Sequence, residues 1–162
     1  MSRLLAEVRH KVDEENLGQS CSRDGCRVYM TDIPSTRVVV DVEAVFNKRR
    51  LPGKCCDFIL FCQKPGKPPI IAPMELKSGD ADTSDVAGQL QSGAIFIQDL
   101  VSEKARPTVR PILFHGRGLH PKQRRDLNRA KVRFRGVDLS IKTARCGRRR
   151  NLAEALSPHL SG

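Results

Sequence analysis

An α/β fold with helices flanking a mixed sheet is the architecture this sequence predicts. Three observations lead there. Three β-rich segments, at 37–46, 55–62 and 69–77, are separated by short turn-forming stretches. An amphipathic stretch over about 84–102 follows them, and a fourth β-rich segment lies at 108–115. A strand, helix, strand succession of this length requires a crossover, which makes the fourth strand parallel to the third.

Residues 2–16 read as a helix, with Ser2 as N-cap and Leu4, Leu5, Val8 and Val12 as an apolar stripe. Residues 19–36 read as a cysteine-containing connection with one short strand at 26–30. Arg37–Phe46 is rich in β-branched residues and predicts a strand; Leu51-Pro-Gly-Lys54 is a turn. Cys55–Cys62 is the second strand, Lys64–Pro69 a turn, and Pro69–Lys77 the third strand, giving an antiparallel meander. Ser78–Ser84 ends in helix-capping residues, and Val86, Leu90, Ile97 and Val101 line the apolar face of the crossover helix. Beyond the fourth strand come a basic helix over 121–130, one or two closing strands over 132–144, and a short helix over 151–160.

At 162 residues and 39% apolar, the chain has the size and composition of a single domain over 1–162 with a real core. No apolar run approaches the roughly 20 residues that span a bilayer, and the N-terminus lacks the apolar centre of a signal peptide. A cytoplasmic location and no membrane partner are therefore expected. The net charge of +11 is segregated: residues 104–150 hold sixteen Lys or Arg against Asp126 and Asp138. Such a basic part suits a polyanion, most often nucleic acid. Arg117, Lys122, Arg124, Arg125 and the triplet Arg148, Arg149 and Arg150 are the candidate phosphate contacts. Aromatic residues make up only 4%, so base stacking on single strands is poorly supported and DNA stands ahead of RNA. The six cysteines (21, 26, 55, 56, 62, 146) read as reduced, packed thiols rather than zinc ligands. Neither close pair has CxxC spacing, and strand neighbours such as Cys55 and Cys56 face opposite ways.

The second hairpin carries the chemistry. Its turn centres near Gly66, with Asp57 nine residues before and Glu75 nine after. That symmetry sets the two carboxylates opposite each other, their Cβ atoms about 4.5–5.5 Å apart. Lys77 shares their face, and Pro73 within the third strand, having no N–H, suggests a bulge that shifts the register by one. Facing carboxylates repel unless a divalent cation lies between them. Mg²⁺ or Mn²⁺ would take both, with the backbone carbonyl of Leu76 as a third ligand. Lys77 would then help activate water or stabilise charge on an attacked phosphate.

The pattern Asp57-x17-Glu75-Leu76-Lys77, followed by a polar loop and a helix bearing Gln89-Leu90, resembles the PD-(D/E)xK nuclease superfamily. The resemblance covers about 2–115 and implies a restriction-endonuclease-like core. It implies catalytic and metal-binding roles for Asp57 and Glu75, a catalytic Lys77, and a supporting Gln89 in preference to Gln91. It also implies a further acidic residue, for which Glu7 competes with Asp41 and Glu43; Glu14 and Glu15 stand behind Glu7. The residue before Asp57 is Cys56, where the family often has proline. His115, at the end of the fourth strand, reads as a plain strand-end histidine ahead of a catalytic helper.

The expected function is a Mg²⁺-dependent endonuclease acting on nucleic acid. A homodimer or a larger defence or repair complex is its expected assembly. The alternative is a non-catalytic nucleic-acid-binding module with a nuclease-like fold, and a third reading is an assembly protein that holds RNA.

Overall fold

A computed structural model of the chain describes residues 2–18 and 20–160; Gln19 and both extreme ends of the expected 1–162 unit lie outside them. The elements begin with α1 (Arg3–Lys11), a 3₁₀ turn (Glu14–Asn16), β1 (Leu17–Gly18), β2 (Cys21–Arg23) and β3 (Cys26–Val28). The centre comprises β4 (Arg37–Asp41), α2 (Val42–Arg49), β5 (Phe58–Cys62), β6 (Ile70–Lys77) and α3 (Thr83–Leu100). The rest is β7 (Thr108–Val109), β8 (Ile112–His115), α4 (Pro121–Arg129), β9 (Lys131–Phe134), β10 (Val137–Ser140), β11 (Lys142–Arg145) and α5 (Asn151–Leu156). The main sheet has the order β1-β4-β5-β6-β8-β11, with β7 also on β6. The pairs β4–β5 and β5–β6 are antiparallel, whereas β6–β8 and β8–β11 are parallel. This is a mixed α/β protein whose mixed sheet is flanked by helices.

Both faces of the sheet are buried, so its strands are apolar almost throughout. Val38, Val40, Ile59, Phe61, Ile71 and Leu113 pack under α1 and α3. Val39, Phe58, Leu60, Ala72, Met74, Ile112 and Phe114 pack under the β2–β3 hairpin and α5. The α1 stripe of Leu4, Leu5, Val8 and Val12 is buried, and Ser2 caps the helix by accepting from the Leu5 N–H at 3.3 Å.

Several boundaries differ from the sequence reading. The first central strand stops at Asp41, because its carboxylate accepts from the Ala44 N–H at 3.1 Å and starts α2. Local capping there overrides the β-branched composition of 42–46. The first helix ends at Lys11, well short of Gly18. The fourth strand is split at Arg110-Pro111, although β7 and β8 keep one register on β6 (Ile71↔Val109, Met74↔Ile112). The closing strands number three: β9 and β10 form a separate hairpin, and β11 joins the main sheet.

Pro73 causes no slip, because it pairs with Ile59 in the unbroken ladder. Ile71 accepts from the Arg110 N–H at 2.8 Å, so Pro73, two residues on, turns its nitrogen to the same β7–β8 edge. The missing donor thus falls at the gap where Pro111 interrupts that edge. Just ahead of β5, the Asp57 N–H donates to Met74 O at 3.0 Å, and Phe58, paired with Met74, opens the ladder.

The cysteine expectation also needs correction. Cys26 and Cys146 form a disulfide, while Cys21, Cys55, Cys56 and Cys62 are free. Cys55 and Cys56 precede β5 rather than lying in it, so strand alternation does not separate them. Hydrogen bonding by the Cys56 thiol lowers the Cys55 pKa, whereas burial chiefly drives Cys56 well upward.

Candidate active site

One end of the sheet collects the charged residues. Asp57 enters at the start of β5 and Glu75 and Lys77 at the end of β6. The register Phe58↔Met74, continued by one residue, sets Asp57 across from Glu75. The carboxylates adjoin, and one Asp57 oxygen accepts from the Leu76 N–H at 2.8 Å. In a strand the N–H and C=O of one residue point to the same edge, so the Leu76 carbonyl is turned toward Asp57.

Glu75 is almost wholly enclosed, at 1% exposure, and its Oε2 has no hydrogen-bond partner. Burial, then its hydrogen bond and charge repulsion with Asp57, raise its pKa to about 9, against a smaller opposing effect of Lys77. At neutral pH the pair therefore holds a proton where no cation balances it.

The two glutamines on α3 have different surroundings. Gln91 is spent on β9, donating to Arg133 O at 2.9 Å and accepting from Arg133 N–H at 2.7 Å. Gln89 keeps a buried Oε1 without a partner. Gly93, one turn later on the same face, lies against Cys56 and Pro73. Since α3 runs back along β6, this places Gln89 toward the Glu75 end.

The competing acids separate clearly. Glu7 pairs with Arg3 at 3.2 Å and lines a cavity with Ser102, Lys104 and Ala105, beyond the far end of α3. Asp41 and Glu43 instead join Asp57 around Arg23, which sequence reasoning missed. The Arg23 guanidinium lies 3.2 Å from Asp41, 3.5 Å from Glu43 and 3.4 Å from Asp57. It also stacks over the Phe58 ring at 4.8 Å. Burial opposes its charge, but the three carboxylates outweigh burial and raise its pKa. Asp24-Gly25 was the available signal: both have positive φ, as a two-residue hairpin turn requires, and they set Arg23 opposite Cys26.

Basic groups flank this end. Lys77, His115 and Arg145 are consecutive partners across β6, β8 and β11. His115 is buried with its Nδ1 unpartnered; burial, then Arg145 and Arg124, lower its pKa. Arg117 stands 3.9 Å from Asp80, and Arg124 donates to Leu119 O at 3.4 Å. Lys122 and Arg125 are exposed on α4. The triplet forms a second group beside the β2–β3 hairpin: Arg149 stacks on Tyr29 at 5.7 Å and Arg150 pairs with Asp32 at 3.2 Å.

Among the described residues no three His, Cys, Asp or Glu side chains group to hold a metal ion. A cation at Asp57 and Glu75 would need the Leu76 carbonyl and water to complete its shell. The orphaned Glu75 and Gln89 oxygens suit a hard, oxygen-seeking ion. Comparison with protein-family models, curated proteins and solved structures finds no match to the chain. Among the described residues no helix is long and apolar enough to cross a membrane.

Proposed function

We propose that the chain is a divalent-metal-dependent phosphodiesterase with a restriction-endonuclease-like core of the PD-(D/E)xK kind, cutting nucleic acid, with DNA ahead of RNA. The observation that carries this reading is the adjoining Asp57–Glu75 pair, with Glu75 enclosed and Lys77 two residues beyond it. Enclosing a carboxylate beside another is costly, and a divalent cation reverses that cost.

Asp57, Glu75 and the Leu76 carbonyl would hold Mg²⁺ or Mn²⁺. The ion, when bound, supplies Lewis acidity for activating water and neutralising phosphate charge. Lys77 sets its ammonium beside the attacked phosphate, and Gln89 orients groups from the α3 side. Lys122, Arg124 and Arg125 grip flanking phosphates without reading sequence.

The test is plasmid cleavage with Mn²⁺, with and without EDTA. Asp57→Ala is expected to lose both Mn²⁺ binding and cutting. Lys77→Ala is expected to keep metal binding within a few-fold and lose cutting by about 100-fold or more, the scale of one positioned electrostatic group. Full cleavage by purified Lys77→Ala would refute the reading. A non-catalytic nucleic-acid-binding module is the second reading, favoured by one observation: Arg23 already supplies a cation to Asp57. Retained DNA binding without cleavage, in every metal and redox state, would establish it.

A further inference from the structure

The hairpin β2–β3 does two things at one position. Its closing pair is Arg23 and Cys26, joined across the Asp24-Gly25 turn. Arg23 points its charge at Asp41, Glu43 and Asp57, and Cys26 is bonded to Cys146, the residue after β11. Cys146 is itself anchored, since its N–H donates to His115 O at 2.9 Å, and the Gly147 N–H donates to Arg27 O at 2.8 Å. The covalent bond thus fixes to the sheet the strand residue directly opposite the arginine.

We propose that Arg23 is a latch on the metal site, held shut by the Cys26–Cys146 disulfide, so that reduction opens the site to its divalent cation. The proposal rests on the reading of Asp57 and Glu75 as metal ligands. Arg23 engages one Asp57 oxygen while the Leu76 N–H engages the other, so both are occupied before a metal arrives. A fixed positive charge a few ångströms from an incoming dication also repels it. Arg23 donates one hydrogen bond, from Nη2 to Asp41 Oδ1 at 3.2 Å, while its buried Nε has no hydrogen-bond partner, so its reach to Asp57 depends on what positions the hairpin. Two short strands, β2 and β3, are too small to be stable unaided. In the redox step a dithiol reductant gives two electrons and two protons to the bond. Cys26 and Cys146 become thiols, and the reductant closes to its own disulfide.

The experiment measures Mn²⁺ affinity of the full chain by calorimetry. It compares oxidised protein with protein reduced by a dithiol and desalted under argon, for wild type, Arg23→Gln and Asp57→Ala. Arg23→Gln is expected to tighten oxidised-state binding by at least about tenfold. Reduction should tighten wild type similarly and add little to Arg23→Gln, because both remove the same obstacle. The Cys26→Ser/Cys146→Ser variant, left unreduced, should behave as reduced wild type, and circular dichroism establishes that each variant is folded. Unchanged or weakened binding in Arg23→Gln, with Asp57→Ala still abolishing it, overturns the latch alone. Equal tightening by reduction in wild type and Arg23→Gln also overturns it. Mn²⁺ binding that survives Asp57→Ala overturns the metal site, and the latch with it.

Discussion

Glu75 makes the metal-free protein sensitive to pH in a defined direction. Its folded pKa, about 9, lies above the unfolded carboxyl value of about 4.3. The protonated side chain therefore contributes stability fully below pH ~4.3, and that contribution is lost as pH rises through about 9. Glu75→Gln, which imitates the protonated form, should melt like wild type near pH 4 and progressively higher than wild type toward pH 9. Thermal melts in EDTA across that range check it; wild type falling no faster than the variant would contradict the assignment. The residues of the pair were legible because hairpin symmetry about Gly66 needs no tertiary information. Arg23 was not, because its partners lie 18 and more residues away and only the folded hairpin brings them together.

Where the crossover helix passes closest to Cys56 and Pro73, its residue is Gly93. A Cβ on Gly93 would stand 2.6 Å from Cys56 Sγ and 3.1 Å from Pro73 Cβ, both buried. Overpacking of this kind costs about 1–3 kcal/mol, more than the ~1 kcal/mol that alanine gains over glycine within a helix. Gly93→Ala should therefore lower the urea midpoint, and Cys56→Ala in the same chain should restore most of it by removing the obstructing sulfur. A Gly93→Ala protein as stable as wild type would show that α3 can ride higher. Element order and the meander were readable because apolar runs and proline-glycine turns are local signals. What escaped were decisions made by a single side chain or by tertiary context. Asp41 capped a helix within a β-branched run, and Pro111 interrupted a strand while keeping its register. The bulge expected at Pro73 does not form, because the missing N–H is matched by a gap in the neighbouring edge.

At the scale of the molecule, the candidate phosphate contacts fall into two groups, one on α4 and its preceding loop and one on the turn before α5. Replacing Arg148, Arg149 and Arg150 by Ala should weaken duplex DNA binding and flatten the log–log salt dependence by up to about three units. Titrations at several salt concentrations measure this; an unchanged slope would make the triplet a scaffold for Tyr29 and Asp32 alone. Charge segregation was visible in the sequence, but its division into two groups depends on β11, which carries the chain across the sheet between them. The bond between Cys26 and Cys146 spans 120 residues of sequence and encircles the whole central sheet except β1. In the oxidised state residues 26–146 form one covalent ring. A protease that nicks one exposed loop, at 64–68 or 102–106, opens the ring without separating its parts. The cut halves stay joined and keep the strand ends that hold Asp57, Glu75 and Lys77 on one tether, until a reductant lets them part.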